Sequence, residues 1–144
     1  MWWRRSAKCS RKLKPRRRSK SPLLRCVSLG RLMRIHGSSM LPLLRPGDLV
    51  LVKDWTPQDA TPTRGEIVAA RPMSFGGRAI VKRIAGLPHE HLNHQTQTWH
   101  LSSDQYLLLG DALDDSLDSR TLGPVTRAEL IGRVWFRLWP PTML

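Results

Sequence analysis

The sequence predicts a mainly β fold, a compact coiled sheet or partly open barrel, carried by residues 34–144 behind a basic arm at residues 1–33. Three observations point there. Five short segments rich in Val, Ile, Leu and aromatic residues recur along the chain, the 11 Pro and 10 Gly punctuate them, and sustained helical periodicity is missing. At 144 residues there is room for one domain and little more.

The arm comes first. Thirteen of the 24 Lys and Arg lie in residues 1–34, where there is no acid, leaving eleven against the eleven Asp and Glu of the rest. The formal charge of +13 therefore belongs to the arm, and the remainder is an electrically balanced globular domain, so the high pI does not make the whole protein a nucleic-acid binder. Over its first twenty or so residues the arm has too little apolar surface to fold and is expected to be disordered. It can be a solvated tail, with Met33 an alternative start. With Trp2 and Trp3 it can instead touch an anionic membrane surface, or the backbone of a nucleic acid.

Its most apolar part, Pro22–Met33, is interrupted by Arg25 and Arg31 and falls short of the ~20 residues of a spanning helix. No apolar run is followed by a small-residue cleavage site, so no signal peptide is read and the expected location is the cytoplasm. Cys9 and Cys26 have no metal-ligand spacing and read as reduced thiols.

Next stands Gly37–Asp48, GSSMLPLLRPGD. Pro42 and Pro46 hold this segment away from helix, and the Pro-Gly-Asp turn sets it at the mouth of a strand. Ser39 is the candidate nucleophile. Leu49–Lys53 and Glu66–Ala70 then read as strands, followed by Ala79–Ile84, AIVKRI, which carries Lys82 inside an apolar run. Burial disfavours a charged lysine. To act as a base near neutrality, Lys82 must fall by about 3 from its free value near ~10.4, a cost of roughly 4 kcal/mol. Periodicity puts Ile80, Lys82 and Ile84 on one face and Val81 and Arg83 on the other. It leaves open whether Lys82 points inward or to solvent.

After Pro88, His89, His91, His94 and His100 lie in a polar stretch that favours a hairpin loop over a metal site. Tyr106–Leu109 is the fourth strand. Leu109–Val125 follows, LGDALDDSLDSRTLGPV, whose acids lack the spacing of a Ca²⁺ loop, so no metal or other cofactor is expected. This loop reads better as a polar support: Asp118 can pair with Arg120, and the Ser116 hydroxyl can accept from and orient the lysine amine. Thr126–Leu130 suggests a helical turn. In the last strand, Ile131–Leu138, Val134, Phe136 and Leu138 share one face and Arg133, Trp135, Arg137 and Trp139 the other.

Taken in order, GSSMLPLLRPGDLVLV, RGEIVAA, IVKRIAGLP, YLLLGDALDDSLDSRTLGPV and the closing IGRVWFRLWP resemble the signal peptidase I family of Ser/Lys endopeptidases over nearly all of residues 35–140. The resemblance implies a β fold of coiled sheets. It also implies a nucleophilic Ser39, a general base Lys82, and a peptide substrate with small residues one and three before the cut. Met40 and Leu41 are candidate walls for those residues, or simply core.

There are two departures from the pattern. Gly37 stands where some members carry a serine that donates to the oxyanion, with Ser38 one position away, and Ala112 stands where the family usually has Asn. Anchors and an inserted β domain are not read in the chain. On that ground the resemblance looks closest to the small soluble branch of nickel-type superoxide dismutase maturation proteases, with the dismutase precursor as expected client. The alternative is a membrane-associated leader peptidase that uses the basic arm in place of an anchor, at the membrane periphery. A self-cleaving SOS-type repressor is remoter, because the arm is too short and basic for a DNA-binding domain.

Overall fold

The computed structural model describes residues 30–56, 59–94, 97–112 and 117–144. Within them the chain forms strands β1 (Arg31–Arg34), β2 (Leu49–Asp54), β3 (Ile67–Ala70), β4 (Ile80–Gly86), β5 (His91–His94), β6 (Gln97–His100), β7 (Gln105–Leu109), β8 (Val125–Thr126), β9 (Leu130–Trp139) and β10 (Pro141–Met143). There is one α-helical turn, α1 (Ser119–Leu122), and there are 3-10 turns at Met73–Phe75 and Arg127–Glu129. The mainly β expectation holds.

One sheet runs β1-β2-β9-β3-β4-β7-β8, and every pair in it is antiparallel. β9 is the seam. Along one edge it pairs β2, and along the other it pairs β3 through Leu130–Arg133 and then β10 through Phe136–Leu138. Register shifts interrupt the β2/β9, β3/β9 and β4/β7 ladders. Each extra residue bends its strand and deepens the local twist, which curls the sheet into a half-barrel.

All four residues of β3 are buried. Ile67 and Ala69 pack with Ile35, Met40, Leu44, Val50, Val52 and Val134 in one core, while Val68 and Ala70 pack with Ile84, Tyr106, Leu108, Val125 and Leu130 in a second. The period of two along a strand thus serves two cores at once.

Three strands were not expected: β1, β10 and the two-residue β8. β1 begins inside the residues read as arm: Met33 packs against the first core and Leu32 is 60% exposed, an alternation hidden by the flanking Arg31 and Arg34. β10 follows Pro140 and itself starts at a proline, which an edge strand tolerates because a missing donor there interrupts no interior ladder. Trp2, Trp3, Cys9 and Cys26 lie outside the described residues.

The expected helical turn is a 3-10 turn at Arg127–Glu129. It is closed by a capping box in which the Thr126 N–H donates to Glu129. The histidine stretch forms the β5–β6 hairpin with His91 opposite His100, their rings edge to face at 4.6 Å. Among the described residues no three His, Cys, Asp or Glu side chains are grouped closely enough to hold a metal ion. No helix among them is long and apolar enough to cross a membrane.

Candidate active site

Ser39 sits in a turn just past the bend at Gly37 and Ser38 that follows β1. The Ile35 N–H donates to the Asp48 carbonyl at 2.9 Å and the Gly47 N–H returns to Ile35, so residues 35–48 close on themselves as a loop. Tight turns follow the serine, with Leu41 N–H to Ser38 and Leu44 N–H to Met40, both at 2.9 Å.

Two anchors hold this loop. Met40 and Leu44 plug the first core. Arg137 of β9 reaches across to donate to the Leu43 carbonyl at 2.8 Å and to Asp48 at 3.4 Å, and Asp48 also accepts from the Arg45 N–H. The serine is thus an exposed-side residue on a buried footing, half-buried itself, between Ser38 and the fully buried Met40.

Lys82 points inward. Only 3% of it is exposed, on the β4 face opposite Val68 and beside Ile84, so the solvent-facing alternative is set aside. Burial pushes its amine below the ordinary lysine range. Asp118 opposes that shift and Arg120 adds to it. Its neighbour Arg83 takes the other face, where it grips Asp111 through two bonds of 2.8 and 2.7 Å and donates to the Gly65 carbonyl. This planar, two-point geometry is the one a guanidinium is built to make.

The pair expected between Asp118 and Arg120 is present, with two guanidinium contacts of 2.9 Å. Asp118 does more than pair. It caps α1, accepting from the Arg120 N–H, and it accepts the Gly110 N–H at 2.9 Å while only 1% exposed. Ser119, also buried, accepts the Leu108 N–H at 2.9 Å and so fastens α1 to β7. Ser116 lies outside the described residues.

Ser38, Ser39, Met40 and Lys82 line one cleft of about 500 Å³, with Ile35, Gly37, Val81 and Leu117 among its walls. Of the two candidate wall residues, Met40 lines the cleft and is also core, whereas Leu41 is half-buried and is not among the lining residues. Among the described residues the backbone edges beside the cleft are open: β1 is the first strand of the sheet, and Ile80–Lys82 pair β3 on one side only, β7 joining β4 from Arg83 onward. Such edges suit an extended peptide.

The sequence has relatives among known proteins. The chain matches the family described as signal peptidase, peptidase S26, over residues 23–97 and 89–139. It belongs to the signal peptidase S26 family. It is 30% identical over 121 residues to the mitochondrial ATP-independent inner membrane protease subunit 1b of Arabidopsis thaliana, covering 78% of this chain and 72% of that protein. It is likewise 30% identical over 118 residues to the human mitochondrial inner membrane protease subunit 1, covering 78% and 71%. A probable signal peptidase I-2 of Synechocystis is 30% identical over 135 residues, covering 74% and 62%. Membership makes this signal peptidase family chain a serine endopeptidase acting on peptide or protein substrates.

Reading the sequence alone missed three supports of this S26 site: the Arg83–Asp111 clamp, the Ser119 bond to β7 and the Arg137 bridge. The first was within reach, because Arg83 adjoins the candidate base and Asp111 follows the glycine of the loop. The Ser119 bond spans 11 positions and the Arg137 bridge 94, and neither carries a local signature.

Proposed function

We propose that the chain removes N-terminal leaders from client proteins with a Ser39/Lys82 dyad. The observation that carries this reading is a lysine 3% exposed, with its amine pushed down by burial, lining the same cleft as an accessible serine. The Ser39 Oγ attacks the scissile carbonyl as Lys82 Nζ takes its proton, forming the C–O bond and a tetrahedral oxyanion. The backbone N–H of Ser39 and the hydroxyl of Ser38 donate to that oxyanion. The C–N bond then breaks, with the proton passing from Lys82 to the leaving amine. Water repeats the sequence on the acyl-serine, releasing the carboxylate and restoring both side chains. Asp118 and Arg120 hold and tune Lys82, and Met40 shapes the wall toward the small substrate residues.

The client is a leader-bearing precursor. The names of the relatives, an inner membrane protease and a signal peptidase, support the membrane-associated leader peptidase reading. They lend none to a nickel-type superoxide dismutase precursor, or to a cytoplasmic enzyme.

Purified protein is expected to cut a leader peptide with small residues one and three before the bond, and Ser39→Ala and Lys82→Ala are each expected to abolish the cut. Retained cleavage by either variant would overturn the dyad. In cells, recovery with membranes and release by salt supports the peripheral reading, and recovery in the soluble fraction contradicts it.

A further inference from the structure

The cleft has a charge pattern that the cleavage chemistry does not use. Arg34, the last residue of β1, and Arg78, just ahead of β4, both line it. No Asp or Glu does so among the described residues. Other arginines of the domain are committed to carboxylates: Arg31 to Asp54, Arg64 to Glu90, Arg83 to Asp111, Arg120 to Asp118, Arg133 to Glu66 and Arg137 to Asp48. Arg127 lies over the Trp55 ring. Arg34 and Arg78 are exposed, and neither side chain has a hydrogen-bond or ion-pair partner among the described residues.

Their placement follows from the two segments that carry the dyad. Arg34 precedes Ser39 by five positions and Arg78 precedes Lys82 by four, and both segments approach the dyad in the direction of the chain. Residues 78–82 are extended, so at about 3.3 Å per residue the Arg78 backbone lies roughly 13 Å from Lys82. The bends at Gly37 and Ser38 bring Arg34 closer to Ser39 than the roughly 17 Å of a straight segment. β1 and β4 run in the same direction through the antiparallel sheet. The two arginines therefore mark the same far end of the cleft. An extended peptide laid between the two segments presents a side chain there four to five residues from the scissile bond.

We propose that Arg34 and Arg78 are specificity-determining residues that select substrates with a carboxylate side chain four to five residues from the cut. This rests on the extended peptide lying in the Ser39/Lys82 cleft, as read above. A guanidinium offers a carboxylate two parallel donors, and a cleft lined by one sign of charge raises the local concentration of the opposite sign. Exposure limits the gain and makes it depend on salt.

The test uses the full chain carrying Ser39→Ala and peptides with small residues flanking a central bond. Each peptide has Asp at the fourth or fifth position on one side of that bond, or Asn in the same place. Binding is read by fluorescence anisotropy. The Asp peptide of at least one side is expected to bind about tenfold more tightly than its Asn counterpart at low salt. The preference is expected to shrink at high salt, to fall in Arg34→Gln or Arg78→Gln, and to vanish in the double variant. Equal affinity of all Asp and Asn pairs, a preference that survives in the double variant, or no binding by any peptide overturns the proposal. Because the protein tested lacks the nucleophile, these outcomes are read independently of whether Ser39 and Lys82 perform the cleavage.

Discussion

The backbone N–H of Ala112 donates to the carbonyl of Ser39 at 3.0 Å. Ala112 follows Asp111, Asp111 is clamped by Arg83, and Arg83 follows Lys82. Of the two proposed catalytic residues, Lys82 is thus one peptide link from the ion pair, and Ser39 is one hydrogen bond and one peptide link from it. This pair sits on the face of β4 away from Lys82, so it fixes position without adding charge to the lysine's own side.

That linkage predicts an imbalance between stability and activity for Asp111→Asn. The Arg83–Asp111 pair is partly exposed, so its loss is expected to cost only about 1 kcal/mol of stability, read by urea unfolding. Cleavage is expected to fall about tenfold or more, because the loop that carries the nucleophile loses its brace and small misplacements of reacting groups are costly. Equal rates for variant and parent would separate the clamp from the chemistry.

The buried amine sets the pH dependence. Its proton affinity is lowered in the folded state, so the neutral form that serves as base becomes populated below 10.5 and kcat/KM rises with pH through that lowered value. The stability effect has a definite sign. Between the folded value and 10.5 the unfolded chain holds one more proton at this site, so Lys82 contributes less stability as pH falls and regains it as pH rises. Lys82→Met, inactive, is expected to be more stable than the parent at neutral pH, with the gap narrowing on the alkaline side.

Arg120→Gln tests the tuning of that amine. Arg120 lowers the lysine's proton affinity and Asp118 raises it, so removing the guanidinium and freeing Asp118 both act in one direction. The rising limb of the rate profile is expected to move to higher pH. Stability drops as well, by about 3 kcal/mol, since the buried Asp118 loses its guanidinium contacts. A limb that does not move would reduce Arg120 to a structural role.

Ser38→Ala bears on the oxyanion. Gly37 has φ +154, where side chains are strained, and nothing lies within 4 Å of the position a Cβ would take. The segment entering the serine is therefore fixed by backbone conformation, not by contacts at Gly37, and Ser38, next along the chain, carries a hydroxyl among the residues that line the cleft. Its removal is expected to lower kcat about 10²-fold with unaltered unfolding. An unchanged kcat would leave the backbone N–H groups as the whole hole.

Gly132 offers a test of the seam. A Cβ there would fall on the Lys53 carbonyl oxygen of β2, a backbone atom that cannot swing aside. Gly132→Ala is expected to cost about 3 kcal/mol or prevent folding, read by thermal unfolding, and a neutral effect would show that β2 and β9 can part locally.

Much of this was legible beforehand because strands announce themselves locally. Leu49–Lys53, Glu66–Ala70, Ala79–Ile84, Tyr106–Leu109 and Ile131–Leu138 each fall on an observed strand, displaced by a residue or two at the ends. β1 escaped because two of its four residues are arginine, so composition masked alternation. Lys82 was readable as a residue type out of place, but its direction was not, since alternation assigns residues to faces without naming the buried one. β3 shows why: both of its faces are buried, and which neighbours fill them depends on strands distant in sequence. The Arg137 bridge to Leu43 spans 94 positions and had no signal at either end.

β9 lies between β2 and β3 and is made after both. Until Leu130–Trp139 leaves the ribosome, the hairpin of β1 and β2 that carries Ser39 has no sheet to join the ladder of β3 and β4 that carries Lys82. The proposed dyad is therefore expected to be held in place only after translation has passed β9. Stalled chains ending before Leu130 are expected to be protease-sensitive and inactive, and cleavage by such a chain would refute the dependence.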